Sequence, residues 1–419
     1  MDSLSFSVLF ATVFLATLAL RFWLAQRHIR HVRAHRDAVP AEFAATIPLA
    51  AHQKAADYTV ARTRFGLTHM FYSGVILIGF TLLGGLQALS QALQGVAGHG
   101  MLYQMLLVVA FACISGLLDL PFDYVRQFRL EERFGFNKMT PGLFFADQVK
   151  GVLVGALLGL PLLWVVLTLM SQTGPLWWLY AWLVWSGFQL LVMVLYPTVI
   201  APLFNKFTPL ADDALKTRIE GLMARVGFAS KGLFVMDGSK RSAHGNAYFS
   251  GFGSNKRIVF FDTLLARLAP QEIEAVLAHE LGHFKLRHIV KRIALMFALS
   301  LGLLALLGWL KGQAWFYVGL GVEPILNGSN DALALILFML VLPVFTFVLS
   351  PLSSLSSRKH EFEADAFAAT HTKAADLVSA LVKMYEDNAS TLTPDPLHSA
   401  FYDSHPPASV RIRQLGVAA

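Results

Sequence analysis

The chain has 419 residues, of which 55% are hydrophobic and 15% are charged, and its mean hydropathy is +0.55. This composition excludes a fully soluble protein, because ordinary globular domains carry about 25% charged residues. The net charge of +7 does not indicate a nucleic-acid partner, because the basic residues lie in a few loops beside apolar stretches. The single cysteine, Cys113, excludes an intrachain disulfide and a cysteine-based zinc site.

Seven stretches are long and apolar enough to cross a bilayer as α-helices, which takes about 20 residues. They are Leu4–Ala25, Gly66–Leu89, Met101–Leu120, Gly151–Met170, Leu176–Leu203, Ile289–Leu310 and Ala332–Ser350. No positive charge precedes the first stretch and no small-residue cleavage site follows it. We therefore predict that it is a membrane anchor and not a removed signal peptide.

The connecting loops alternate between basic and neutral, which predicts an orientation because cytoplasmic loops are enriched in Lys and Arg. The loops after the first and third spans are basic, and those at 90–100 and 171–175 carry no Lys or Arg. The N-terminus is then outside, and residues 204–288 and the C-terminus are cytoplasmic. Short loops and an Ala/Leu-rich composition suggest a bacterial inner membrane, or the endoplasmic reticulum membrane if the source is eukaryotic.

The long polar segment between the fifth and sixth spans has its own predicted elements. Residues 211–226 have helical periodicity, residues 232–236 and 257–261 indicate short strands, and residues 245–250 indicate a third. A helix then begins near Pro270, with Glu272 and Glu274 in its first turn, and runs towards the sixth span.

These elements, together with the H-E-x-x-H sequence at residues 279–283, predict a mainly α, polytopic membrane protein with about seven transmembrane helices and a zinc-peptidase subdomain that contains a small β-sheet. We divide the chain into an N-terminal membrane region (1–203), a cytoplasmic-side peptidase region (204–288), two further spans (289–350) and a C-terminal peptidase region (351–419).

The motif that suggests chemistry is His279-Glu280-Leu281-Gly282-His283, an H-E-x-x-H sequence in a helical run. Two histidines four residues apart lie on one helix face, so both imidazoles can reach one ion. Zinc is the usual ion for this arrangement, with the glutamate as general base. The motif predicts a zinc peptidase.

A catalytic zinc needs a third protein ligand. The metzincin extension requires glycine and histidine where this chain has Leu286 and Ile289, so that layout fails. His288 is nine residues after His279, on the opposite face of a continuing helix, where we expect an interfacial or solvated side chain. An intramembrane protease would have the motif within a span, whereas here it precedes one.

A carboxylate on another element remains as the candidate, and residues 357–368, just after the seventh span, contain three. Glu361 and Asp365 are four residues apart and share a face of a predicted helix, while Glu363 points nearly the other way. One carboxylate can bind the metal while the other holds a ligand histidine by its second ring nitrogen. The alternative is a solvated acidic helix start.

Residues 279–283 and 357–368 resemble the type I CAAX prenyl proteases, which are integral-membrane zinc metalloproteases of the gluzincin clan. Residues 52–59, 133–138 and 197–210 resemble the same family, so the resemblance extends from about residue 50 to the C-terminus. It implies one zinc ion with Glu361 as third ligand, Asp365 beside a ligand histidine, and seven helices around a large water-filled chamber that the active site faces.

The resemblance also implies three supporting residues. His405, in a His-Pro-Pro sequence, and Asn246 would donate hydrogen bonds to the oxyanion, and Arg411 would position ligands or substrate. Zinc would polarise the scissile carbonyl and activate water, and Glu280 would carry the proton to the leaving amine. The strand near Ala247–Ser250 would pair with an extended substrate peptide.

The substrate implied by the resemblance is a prenylated CAAX-type peptide that loses its C-terminal tripeptide; peptide substrate and membrane lipid are the expected partners. Two alternatives remain open. One is a heat-shock-induced quality-control zinc protease, which shares the ligand motifs but has fewer spans. The other is a transporter or lipid-binding membrane protein with a relic site, since a fold does not determine a function.

Overall fold

The computed structural model describes residues 1–250, 257–326 and 328–416. The N-terminal half is helical throughout. Its helices are α1 Ser3–Ala34, α2 Leu49–Phe80, α3 Gly85–Ala97, α4 Met101–Val125, α5 Glu132–Phe134, α6 Pro141–Gln172, α7 Trp177–Leu195 and α8 Ala201–Phe204. Several extend beyond the predicted spans, because a hydropathy window finds only the apolar part of a helix that continues into water.

A polar segment with a small sheet follows. Its elements are β1 Phe207–Pro209, α9 Asp213–Arg225, β2 Leu233–Met236, β3 Ala247–Ser250, β4 Arg257–Phe261, α10 Asp262–Leu265 and α11 Pro270–Lys285. The chain then returns to the membrane region and ends in short helices. These are α12 His288–Leu310, α13 Ala314–Val318, α14 Asp331–Thr346, α15 Ser350–His371, α16 Ala374–Asp387, α17 Pro396–Tyr402 and α18 Ala408–Leu415.

Six of the described helices are long and apolar enough to cross a membrane, and a bent pair makes a seventh candidate. The bent pair is α2 and α3, which meet at 51° within the predicted span Gly66–Leu89. Gly84 takes φ +76° at the break, and a Cβ on Gly85 would lie 2.6 Å from the carbonyl oxygen of Gly79. The second span is thus broken rather than one continuous helix, because its two glycines permit a turn that side chains would obstruct.

The apolar windows of the long described helices contain few buried residues, except in the last one. Between 6% and 11% of residues are buried in the apolar windows of five of them, against 44% in the helix Asp331–His371. The buried cluster around α14 joins it to α1, α4 and α13 through Phe10, Tyr103 and Phe316.

The sheet has the order β1-β2-β4-β3, with β2 and β4 parallel and the outer strands antiparallel to their neighbours. The predicted strands are present, and β3 lies at an edge. β1 was not predicted, because three residues ending in Pro209 carry no alternating pattern. Beneath the sheet, α9 buries Leu215, Ile219, Leu222 and Met223, as its periodicity predicts, against α11.

The mainly α fold with about seven candidate spans and a small sheet is therefore confirmed. α14 continues through a short 3₁₀ turn into α15, so the last span carries the chain directly to Glu361. α15 packs against α11. The helix that carries Glu361 and Asp365 therefore lies beside the helix that carries the H-E-x-x-H motif.

Candidate active site

Helix α11 begins as the sequence predicts and is stabilised at its start. The Glu272 carboxylate accepts a hydrogen bond from the backbone N–H of Ala269 at 2.7 Å, and Lys383 and Ser379 donate to the same carboxylate. Side chains on the inner face of α11, including Leu277, are buried in the core. The histidine face therefore has a fixed rotation about the helix axis.

α11 and α15 approach each other closely at Gly282. A Cβ on Gly282 would lie 3.1 Å from the Cα of Ala364 and 3.1 Å from the Cβ of Phe367. Both distances are shorter than ordinary carbon–carbon contact, which is about 3.5–4.0 Å. The absence of a side chain at Gly282, between the two histidines, therefore allows α15 to bring its carboxylates to them.

The structure brings His279, His283 and Glu361 together. The Nε2 atoms of His279 and His283 are each 3.4 Å from a Glu361 oxygen, and the two Nε2 atoms are 3.1 Å apart. Ligand atoms bound to one tetrahedral zinc at about 2.1 Å lie about 3.4 Å apart. Within the described residues no hydrogen bond reaches the buried Oε2 atom of Glu361, and the Nη1 atom of Arg411 is 3.8 Å away; a metal ion would satisfy this oxygen directly. These residues therefore fit a zinc ion.

Asp365 contacts the Nδ1 side of the His279 ring, opposite the Nε2 atom that faces Glu361, and Arg411 supports Asp365. The Nδ1 atom of His279 is 2.8 Å from the Oδ1 atom of Asp365, and the Arg411 guanidinium donates to both Asp365 oxygens at 2.6 and 2.8 Å. Burial opposes a charge on His279, but the Asp365 and Glu361 carboxylates outweigh it and raise the pKa of the imidazole. The same negative field favours a bound cation.

The remaining predicted residues are placed differently. Glu280 follows His279 on α11 and is half-buried. His405 is 61% exposed, with its Nε2 atom 3.3 Å from the Oε1 atom of Glu361. Asn246 is exposed just before β3, and its side-chain oxygen accepts a hydrogen bond from the N–H of Ala247 at 2.8 Å. Among the described residues, no hydrogen bond joins the Asn246 side chain to the three clustered ligands.

Two protein-family matches together cover nearly the whole chain. Residues 28–206 match the family described as CAAX prenyl protease N-terminal, five membrane helices, and residues 209–418 match peptidase family M48. The CAAX prenyl protease 1 homolog of Homo sapiens is 33% identical over 97% of this chain and 95% of that protein. The chain belongs to peptidase family M48. The homolog of Arabidopsis thaliana is 35% identical over 87% of each chain.

The structural comparison agrees with this assignment. The crystal structure of S. mikatae Ste24p has a TM-score of 0.92 and 30% sequence identity, and the match covers 98% of this chain and 99% of that one. This M48 peptidase is thus a multi-pass membrane metalloprotease, as the sequence predicts, and its family implies a metal, typically zinc, and a peptide substrate. The quality-control protease and the relic-site transporter are not favoured.

The structure overturns the placement of His288 on the far face of a continuing helix. α11 ends at Lys285, Arg287 takes φ +58°, and α12 begins at His288. His288 is only 4% exposed, and its Nδ1 atom lies 3.1 Å from the Nδ1 atom of His283. The sequence has no glycine or proline at this break, so its periodicity alone predicts that α11 continues past Lys285. The buried ring of His288 therefore has neither the interfacial nor the solvated position that the sequence predicts.

Proposed function

We propose that this M48 peptidase is a zinc-dependent endopeptidase that removes the C-terminal tripeptide of prenylated CAAX-type peptides. The observation that carries the peptidase chemistry is the cluster of His279, His283 and Glu361, with ligand-like spacing and a buried Glu361 oxygen that receives no hydrogen bond from the described residues. The substrate class is supported by the relatives, which are named CAAX prenyl proteases and match this chain over most of its length.

His279, His283 and Glu361 would hold one zinc ion, and Asp365 would keep the proton of His279 on Nδ1 so that Nε2 faces the metal. A bound zinc supplies Lewis acidity, which polarises the scissile carbonyl and lowers the pKa of water towards neutrality. Glu280, beside His279 and half-buried, accepts the proton of the attacking water and delivers it to the leaving amine.

His405 and Asn246 would donate to the oxyanion of the tetrahedral intermediate. The ring of His405 contacts Glu361 yet is largely exposed, so it can reach a substrate that lies over the ligands. The Asn246 side chain must rotate away from the backbone N–H of Ala247 before it can donate to the substrate. Its exposed position permits this rotation. Arg411 acts through Asp365, because its guanidinium donates to both of that carboxylate's oxygens.

Two features support an extended peptide substrate. β3 lies at the edge of the sheet and packs against α11, so its outer backbone groups can pair with a peptide beside the histidines. A cavity of about 610 Å³ is lined by both polar and apolar side chains, including Tyr58, Met70, Tyr402 and His405. His405 connects this cavity to the ligand cluster.

The orientation in the membrane is part of the proposal. The alternating basic loops support a cytoplasmic active site, and the four-part division at residues 203, 288 and 350 follows the changes between apolar and polar sequence. The predicted location is the bacterial inner membrane, or the endoplasmic reticulum membrane if the source is eukaryotic, with lipid and peptide as partners.

The direct test is cleavage of a farnesylated CAAX peptide by the purified full chain in detergent. We expect release of the C-terminal tripeptide, abolition by a zinc chelator, and no turnover by the Glu280→Gln variant. An unprenylated peptide of the same sequence is the matched substrate control. Equal cleavage of both peptides would refute prenyl specificity while leaving the peptidase assignment intact, whereas no cleavage of either by zinc-loaded protein would refute the function.

A further inference from the structure

His288, His360 and Glu363 form a second cluster of potential ligands beside the proposed metal site. The His288 ring is buried between its neighbours. Its Nδ1 atom is 3.1 Å from the Nδ1 atom of His283, and its Nε2 atom is 2.8 Å from a Glu363 oxygen. The His360 ring stacks on it with centroids 4.1 Å apart and an interplanar angle of 13°. The proposed mechanism gives none of these three residues a part.

The geometry of this second cluster is that of hydrogen bonds and not of metal ligation. The separation of 2.8 Å between His288 Nε2 and Glu363 Oε2 is a hydrogen-bond length, whereas ligand atoms of one tetrahedral zinc lie about 3.4 Å apart. The rings of His288 and His360 are nearly parallel, so the lone pairs in their planes do not converge on one point.

One protonation pattern satisfies every nitrogen in the series. The Nε2 atom of His283 faces Glu361 and His279, so a metal bound there leaves the His283 proton on Nδ1. That N–H must donate, and the Nδ1 atom of His288 is within reach as the acceptor. The proton of neutral His288 is then on Nε2, where the Glu363 carboxylate accepts it.

We propose that His288 is a positioning residue that connects His283 to Glu363 and holds the His283 ring with Nε2 towards the metal. This inference rests on the proposed ligand role of His283. His279 receives its carboxylate partner directly, from Asp365, while His283 receives one through the imidazole of His288. His360 restrains the plane of the intervening ring by stacking. A partner that orients a ligand histidine typically contributes 10–100-fold to metal affinity.

The test compares His288→Gln, His288→Leu and His360→Phe in the purified full chain. The glutamine amide can accept from His283 and donate to Glu363, whereas leucine can do neither; phenylalanine keeps the stacking of His360 and removes its nitrogens. Zinc affinity is measured by chelator competition, zinc content per chain by elemental analysis, and ligand geometry by the visible absorption of the cobalt-substituted protein.

We expect His288→Leu to bind zinc roughly 10–100-fold more weakly and to change the cobalt spectrum. His288→Gln should recover most of the affinity, and His360→Phe should bind zinc nearly as the wild type does. Glu363 is 36% exposed, so Glu363→Ala tests the same connection with little risk to folding and should also weaken zinc binding.

Unchanged zinc affinity and an unchanged cobalt spectrum in His288→Leu or in Glu363→Ala would overturn the proposal. Two zinc ions per wild-type chain, with one lost in His360→Phe, would overturn it in favour of a second metal site. Failure of the proposed function gives a different result: the wild type would hold no zinc, or Glu361→Ala would retain it. The positioning role of His288 would then be refuted together with the metal site.

Discussion

Replacement of Gly282 by alanine tests whether the close crossing of α11 and α15 holds the proposed site together. The new Cβ would lie 3.1 Å from both the Cα of Ala364 and the Cβ of Phe367, so α15 must move by a few tenths of an ångström. Overpacking of this kind costs about 1–3 kcal/mol. A glycine-to-alanine change inside a helix also stabilises by about 1 kcal/mol, which partly conceals the loss.

Gly221→Ala in α9 is the matched control. Of the described residues, its new Cβ would meet only Arg225, at 3.8 Å from the Nη1 atom, so it gains the helix propensity without overpacking. The difference between the two variants should therefore be about 1–3 kcal/mol in favour of Gly221→Ala. Because the unfolding entropy is about 2.1 cal/mol/K per residue, 1 kcal/mol shifts the midpoint of a 419-residue chain by about 1 °C, and a separation of about 1–3 °C is expected.

The assay is thermal unfolding of both variants in the same detergent at one scan rate, together with zinc affinity by chelator competition. Gly282→Ala should melt below Gly221→Ala and bind zinc more weakly, because α15 carries Glu361. If the two variants melt together and bind zinc equally, the crossing at Gly282 does not determine the position of the carboxylates.

Three further predictions concern the ligands, their support and the topology. Glu280→Gln should keep its zinc and lose peptide cleavage, whereas Glu361→Ala should lose most of its zinc; elemental analysis and turnover separate the two, and near-wild-type cleavage by the Gln variant would exclude Glu280 as the base. Arg411→Met removes the guanidinium that donates to both oxygens of the buried Asp365 and leaves that carboxylate only its contact with His279, so it should destabilise the protein by about 3–5 kcal/mol and weaken zinc binding, whereas Arg411→Lys should lose less; equal melting of both variants would contradict this. A reporter fused after Ala419 should be cytoplasmic, and external labelling there would overturn the loop-charge orientation.

Much of the fold follows from the sequence because its strongest signals are local. Apolar stretches of about 20 residues predict the membrane helices, and the 3.6-residue periodicity of α9 predicts its buried face, including Leu215 and Ile219. Pro270 marks the start of α11, where the structure begins it. The pairs His279–His283 and Glu361–Asp365 are likewise local, since residues four apart share a helix face.

The features that were missed depend on backbone turns without a strong local signal. The break between α11 and α12 lies at Arg287, a residue type that rarely adopts positive φ, so helical periodicity predicts the wrong face for His288. The bend between α2 and α3 lies inside a stretch that is apolar throughout, and hydropathy does not report it. The roles of Asn246, His405 and Arg411 came from the family resemblance, because no local pattern singles them out.

The proposed metal site consists of two helical pairs that meet only because two helices cross closely. α11 contributes His279 and His283, and α15 contributes Glu361 and Asp365, each pair separated by four residues. Periodicity predicts both faces but not their separation, because that distance depends on what lies between the helices. Gly282, between the two histidines, leaves the gap that Ala364 approaches. A larger side chain there would preserve every motif in the sequence and still separate the carboxylates from the imidazoles.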